Sequence, residues 1–90
     1  MSENHVPYQP ANSFRIVLEL TRPERRLDNV LLQAIKAQNE NLDLREVTRT
    51  TYKELFSSGK IQIKGQRARP SSSLARGITY VDILGYKHKA

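Results

Sequence analysis

The spacing of the apolar residues changes twice along this chain, and that change limits the fold more than any other feature. Residues 14–20 alternate between apolar and polar side chains, which is the period of a half-buried strand. Over residues 27–35 the apolar positions instead follow one face of a helix, and after Gly59 the alternation returns. In a chain of 90 residues this pattern predicts one α+β domain, with two helices packed on a small antiparallel sheet.

Two helices are predicted between the strands. The first has Asp28 in its first turn, where the positive end of the helix dipole favours an anion, and it ends at the polar residues 38–41. The second begins after Thr48, whose hydroxyl can accept a hydrogen bond from a free amide two or three residues further on. Gly59 stands where the end of that helix needs a residue in the left-handed conformation.

The remaining segments are expected to complete the sheet and the core. Residues 60–64 alternate, and Gly65 turns the chain into a short strand at 67–69, which a proline and three serines interrupt. Residues 78–84 form the last strand, and residues 14–20 add an extra strand at the N-terminal side. The connector between the helices, residues 36–47, is expected to contact the core through Leu42, Leu44 and Val47.

The division of the chain follows from where these patterns begin and end. Residues 1–12 are predicted to be a disordered leader, residues 13–84 the domain, and residues 85–90 a short basic tail. The sequence has no Cys, no signal pattern and no apolar run near the ~20 residues that a membrane span needs. We therefore expect a cytoplasmic monomer. Because the chain begins with Met1 and its tail enters no evident catalytic domain, we expect a protein that stands alone.

The positive charge of the chain is concentrated in its last third. The net charge is +6, yet residues 1–59 carry eight Lys and Arg side chains against eight Asp and Glu side chains, which cancel. Residues 60–90 carry seven cations against Asp82 alone. Such asymmetry favours a surface that faces a polyanion, although cations on a sheet edge also keep strands from sticking together.

The start of the second helix is predicted to bind phosphate. A phosphate there would meet the free amides that follow Thr48 and the guanidinium of Arg49, which can make paired hydrogen bonds. A cation at this end opposes the helix dipole, so binding explains Arg49 better than stability does. Lys53 lies one turn further along. If the hairpin folds back beside this helix, the cationic strip is extended by Lys60, Lys64, Arg67 and Arg69, and Gln66 can donate to a base edge, a phosphate or a ribose hydroxyl.

Short motifs recur in a fixed order between residues 26 and 84. The first helix opens with Arg26, Leu27 and Asp28, and the second with Thr48 and Arg49. Residues 59–65 then run Gly, basic, aliphatic, any residue, aliphatic, any residue, Gly, and Pro70, Ser71 and Gly77 follow. This order resembles the RNA-binding domain first described in ribosomal small-subunit protein four, also called the alpha-L motif. Pseudouridine synthases carry it at their N-termini after a similar strand, and a small ribosome-associated heat-shock protein carries it too.

The resemblance implies non-catalytic binding of structured RNA, either ribosomal RNA or a tRNA-like structure, and association with the ribosome. The connector of residues 36–47 is longer than in many members, and Lys64 stands where an Asn is common. Because positioning contacts outnumber groups that could read bases, we expect recognition of RNA shape. The candidate RNA-binding residues are Arg26, Thr48, Arg49, Thr50, Lys53, Lys60, Lys64, Gln66, Arg67 and Arg69.

Other interpretations of these residues stay open. The chain can be the detached RNA-targeting domain of a pseudouridine synthase or a ribosomal RNA methyltransferase, or an interaction module whose basic face meets an acidic protein. Arg26 can simply pair with Glu24 or Asp28 at the helix start. Tyr52 and Phe56 have the spacing of core residues, so Tyr80 is the better candidate for stacking on a base.

We expect no catalytic activity, no cofactor and no metal site. The tripeptide Arg26, Leu27, Asp28 matches the surroundings of the catalytic aspartate of pseudouridine synthases, but here it continues into an apolar helix. The two histidines, His5 and His88, lie in opposite tails without Cys or a suitably spaced carboxylate. The sequence contains no phosphate-binding glycine loop, nucleophile elbow or acid–base pair.

Overall fold

Apart from one additional short helix, the strands and helices follow one another in the order that the apolar spacing predicts. A computed structural model describes residue 6 and residues 8–86, so the predictions for the rest of the leader and for residues 87–90 of the tail lie outside the described residues. The described residues form a small α+β domain with a four-stranded antiparallel sheet and three helices. The elements are β1 (Ser13–Leu20), α1 (Leu27–Ala37), α2 (Leu42–Arg45), α3 (Arg49–Ser57), β2 (Ile61–Ile63), β3 (Gln66–Arg67) and β4 (Gly77–Leu84).

The sheet has the strand order β1-β4-β2-β3, with every neighbouring pair antiparallel. β4 therefore lies in the middle, pairing Ile83 with Phe14 of β1 on one side and with Ile61 of β2 on the other. The apolar residues of the alternating segments point to one face, where α1 and α3 cover them. The buried core contains Phe14, Ile16, Leu18, Leu27, Leu31, Ile35, Tyr52, Leu55, Phe56, Ile61, Val81 and Ile83.

The first turn of α1 is capped by a distant loop rather than by a side chain. The amides of Leu27 and Asp28 donate to the carbonyls of Ser72 (2.9 Å) and Pro70 (3.1 Å). Glu24 and Leu74 exchange a further pair of backbone hydrogen bonds. Since amides at a helix start have no partner within the helix, these carbonyls satisfy two of them and fix the loop against α1.

The connector between the two long helices contains a helix that the sequence pattern does not reveal. The Asn41 side chain caps α2 by accepting from the Leu44 amide at 3.0 Å, while Lys36 donates to the carbonyls of Arg45 and Val47. Leu44 and Val47 are buried as predicted, but Leu42 is exposed. The prediction of two helices was incomplete because four residues are too few to show helical spacing.

The two ends of the described chain contact each other beside β1. The Gly85 amide donates to the Asn12 carbonyl at 2.8 Å, and the Gln9 side chain donates to the Ser13 carbonyl. Tyr86 packs against the core, and its carbonyl accepts from Asn41. The longest described helix, α1, has 11 residues, and no helix in the described part of the chain could span a membrane.

The outer face of the sheet holds a buried ion pair. Arg15 on β1 donates to both carboxylate oxygens of Asp82 on β4, at 2.7 and 2.9 Å, and its guanidinium lies 5.2 Å from the centre of the Tyr80 ring. Asp82 has no exposed surface. The hydrogen bonds with Asp82 raise the pKa of Arg15. The pair therefore links the edge strand to the central strand on the face opposite the helices.

Candidate nucleic-acid interface

The N-terminus of α3 has free backbone donors. Thr48 caps the helix by accepting from the Thr51 amide at 3.1 Å, one of the two amides that the sequence favours. Among the described hydrogen bonds, none uses the amides of Arg49 or Thr50. The first amides of α1, by contrast, are bonded to the loop at residues 70–72. Of these two helix starts, α3 is the one with donors and a dipole available to an anion.

Four of the predicted cations line two adjoining depressions that share Lys53, Phe56 and Pro70, and the two together are here called the α3 groove. Arg49 and Lys53 form the side contributed by α3, and Arg67 and Arg69 form the opposite side. Phe56 and Pro70 lie between the two sides. In the described part of the chain, the side chains of Arg49, Lys53 and Arg69 make no hydrogen bond or ion pair within the molecule. These three cations are therefore available to an external partner.

A tight turn places Arg69 on the side of the α3 groove. The Ser72 amide donates to the Arg69 carbonyl at 3.0 Å, and the Arg69 amide donates to the Ser72 hydroxyl at 2.9 Å. Ser72 and Pro70 are the same residues whose carbonyls accept from the first turn of α1. The turn is thus held from both sides, which fixes the backbone that carries Arg69.

Arg67, unlike the other three groove cations, has a hydrogen-bond partner inside the molecule. Its Nη2 donates to the Ser57 carbonyl at 2.7 Å, at the C-terminal end of α3, where a cation is favoured by the helix dipole. The side chain is exposed, so its remaining donors still reach solvent. Arg67 therefore ties the hairpin to α3 and also adds positive charge to the groove.

Arg26 forms an exposed ion pair with Asp28, one of the interpretations left open by the sequence. Its Nε and Nη2 donate to the two carboxylate oxygens at 3.1 and 3.0 Å. These hydrogen bonds hold the pKa of Asp28 below its usual range, against a smaller opposing effect of burial. Asp28 lies at the end of the α3 groove near Arg49. Arg26 thus neutralises the one carboxylate among the residues that line this surface in the described chain.

Aromatic residues near the groove contribute to the core. Tyr52 and Phe56 are buried with their ring centres 5.2 Å apart in an edge-to-face arrangement, and the Tyr52 hydroxyl donates to the Asp28 carbonyl at 2.7 Å. Loss of hydration on burial is the main reason that the pKa of Tyr52 is raised, and the negative charge of Asp28 raises it further. Tyr80 lies on the outer face, under the guanidinium of Arg15. None of these three rings is a freely exposed stacking platform.

The structure does not bring all of the predicted cations together. Lys60 lines a depression with Glu54 and Tyr86, and Lys64 lines another with Arg76 and Tyr80. Gln66 is exposed on β3 beside Arg67, but it is not one of the residues that line the α3 groove. Sequence reasoning missed Asn29 and Ser71 on the groove and Arg76 beside Lys64. The available signal for Asn29 was its position in the first turn of α1, outside the apolar spacing that marks the buried face of that helix.

Residues 6 and 8–86, the described part of the chain, contain no candidate metal site. No cluster of three or more His, Cys, Asp or Glu side chains in that part of the chain could hold a metal ion, and His5 and His88 lie outside it. Comparisons of the chain with protein-family models, with curated proteins and with solved structures return no match. Geometry and charge are therefore what characterise the candidate site.

Proposed function

We propose that this chain is a non-catalytic RNA-binding domain of the alpha-L type, which binds structured RNA through the α3 groove. One observation carries the proposal: Arg49, Lys53 and Arg69, with Arg67, come from two distant segments and line one surface that starts at the free N-terminus of α3. Ribosomal RNA in the cytoplasm is the proposed target, following the resemblance of residues 26–84 to that family.

The groove offers phosphate-binding chemistry at its α3 end. A phosphate at the helix start can accept from the amides of Arg49 and Thr50 while the Arg49 guanidinium makes paired hydrogen bonds to it. Lys53, one turn along, and Arg69, across the groove, can contact phosphates on either side. These contacts address the RNA backbone, so the domain recognises the path of the backbone more than the bases.

The order of elements supports the assignment to the alpha-L type. A strand precedes α1, and α3 is followed by the β2–β3 hairpin and then by β4, which is the order that the resemblance implies. The hairpin folds back beside α3, where Arg67 bonds the Ser57 carbonyl. That approach supports a shared binding surface for Arg67 and Arg69 with the cations of α3.

Removing two groove cations is expected to weaken RNA binding. The double variant R49A/K53A should bind a ribosomal RNA fragment about a hundredfold more weakly, since each of the two lost charged hydrogen bonds is worth roughly 1.5 kcal/mol. The fold should persist, because Arg49 opposes the dipole of α3 and both side chains are exposed. Affinity is measured by fluorescence anisotropy, and folding by circular dichroism.

A matched variant separates the groove from overall charge. R22A/R45A also removes two exposed cations, but neither residue lines the α3 groove. We expect this variant to bind nearly as well as the unmodified chain. Equal losses in the two folded variants would contradict the proposed site. Partners that co-purify unchanged after ribonuclease treatment would point instead to an acidic protein, the alternative reading of the same charge.

A further inference from the structure

Within the described residues, one edge of the sheet is left unpaired over most of its length. β1 pairs with β4 on one side, and the sheet order places no described strand on the other. The Gly85 amide donates to the Asn12 carbonyl, in register with the pairs between β1 and β4. Because hydrogen-bonded pairs alternate along an antiparallel ladder, the even-numbered residues of β1 are the ones whose backbone groups bond β4. The backbone groups of Arg15, Val17 and Glu19 therefore point outward. No described hydrogen bond uses them, whereas the Ser13 carbonyl is occupied by Gln9.

The space beside this edge is open to an added strand. A groove runs between β1 and α1, lined by Val17 and Glu19 on the strand and by Val30 and Ala34 on the helix. Val17 is 48% exposed, one of the few large apolar side chains on the described surface. An edge strand with unpaired donors and acceptors and an exposed apolar centre is a template for strand addition.

The side chains of β1 are complementary to themselves in one register. When two β1 strands pair antiparallel, the residues whose backbone groups point away from β4 must face one another to form hydrogen bonds. A twofold axis at residue 16, 17 or 18 meets this requirement. An axis at 16 places Arg15 opposite Val17, and an axis at 18 places Glu19 opposite Val17. The axis at residue 17 instead pairs Val17 with itself and Arg15 with Glu19, matching apolar with apolar and cation with anion.

We propose that two copies of this chain pair through β1, antiparallel, about a twofold axis at Val17. The three facing pairs exchange backbone hydrogen bonds and join the two sheets into one continuous sheet. On its outer face, Arg15 lies between Asp82 of its own chain and Glu19 of the partner subunit, because Asp82 is the cross-strand neighbour of Arg15. Val17 likewise lies between Tyr80 and Val17 of the partner subunit. This pairing is independent of RNA binding.

A charge-swap experiment tests the axis directly. At a twofold axis residue 17 faces its own copy, so V17K and V17D should each keep the mass of one chain, while an equimolar mixture should give a species of two chains. Sedimentation equilibrium is measured from about 10 µM to about 1 mM, because an interface of a few backbone pairs is expected to be weak. The unmodified chain should double its apparent mass over that range.

The control is L42K. Leu42 is 57% exposed, but it lies on α2 rather than on the sheet, so this variant should associate like the unmodified chain. A single-chain mass for the unmodified protein at every concentration would overturn the proposal. So would a V17K variant that still dimerises, or a mixture of V17K and V17D that does not.

A second variant tests the same contact without altering charge. The chain has no cysteine, so V17C introduces one thiol that should face its copy at about 5.5 Å between Cα atoms, within the range for a disulfide. Mild oxidation should convert V17C to a covalent dimer much faster than L42C, which carries its thiol on α2. Equal rates for the two variants would refute the pairing.

Discussion

Individual side chains divide between those that hold the domain together and those left for a partner. Arg67 bonds the end of α3, and Arg26 bonds Asp28. Arg49 and Lys53 have no described partner inside the molecule. Cations that bond within the domain and cations left for a partner look alike in sequence, since each is an Arg or Lys near a helix or a turn. Their partners, not their residue type or spacing, distinguish them.

The pH response of Asp28 tests the role of Arg26. The pKa of Asp28 is lower in the folded chain because Arg26 donates to its carboxylate. The ionised form therefore stabilises the fold at pH values above the ordinary aspartate range, and this contribution is lost as pH falls through the lowered pKa. In a carbon-13 NMR titration, R26A should raise the midpoint of Asp28 toward its ordinary value.

A control titration identifies the source of the shift. R25A removes a neighbouring cation that makes none of the described hydrogen bonds to Asp28, so the midpoint of Asp28 should stay low in that variant. If R26A leaves the Asp28 midpoint unchanged, the ion pair is not formed in solution. Arg26 would then be free to act as an RNA contact in the absence of a competing carboxylate.

Among the elements, the β2–β3 hairpin has a strained turn. Lys64 and Gly65 both have positive φ, 54° and 77°, which is the type I′ geometry that two-residue hairpins favour. Gly adopts this conformation without cost, but a Lys loses about 1–2 kcal/mol relative to right-handed backbone. Asn tolerates it better, because its short side chain can bond the local backbone.

The substitution K64N is therefore expected to stabilise the domain. The gain should be about 0.5–1 kcal/mol in the free energy of unfolding, measured by urea denaturation. K60N serves as the control, because it makes the same change of charge at a residue whose φ is not positive. A variant K64N that is no more stable than K60N would show that the turn relaxes to another geometry.

Element boundaries were predictable to different degrees. The alternation of residues 14–20 and the Thr48 cap led to β1 and α3 almost residue by residue, because both signals are local. For residues 70–73 the sequence indicated only a proline and three serines that interrupt the hairpin strand. The hydrogen bonds of this loop to the start of α1 use backbone atoms of residues more than forty positions apart, and backbone groups leave no pattern in the sequence.

For the whole molecule, the strong positive charge of the last third is only partly used in the groove. Of those cations, Arg67 and Arg69 line the groove, while Arg49 and Lys53 come from the part of the sequence whose charges cancel. A count of charges along the chain could not show this, because the groove depends on how α3 and the hairpin strand approach each other.

The dependence of RNA affinity on salt concentration should show how many groove cations neutralise phosphates. The logarithm of the RNA affinity should fall linearly with the logarithm of salt concentration, and R49A/K53A should reduce the slope by about 1.4 to 1.8 if each residue contacts one phosphate. R22A/R45A should leave the slope unchanged. Affinities are compared over about 50 to 300 mM salt. Equal slopes for R49A/K53A and the unmodified chain would mean that these cations do not contact the RNA backbone.

The position of β4 has a consequence for the synthesis of the chain. β4 is made after all the other described elements, yet it lies in the middle of the sheet and supplies every strand contact except that between β2 and β3. Until residue 84 has left the ribosome, β1 has no neighbouring strand, and the helices can pack on only part of the apolar face of the sheet. Such distant pairings slow folding and expose apolar surface in the meantime. A nascent chain of this protein therefore acquires its core in one late step, however early its helices form.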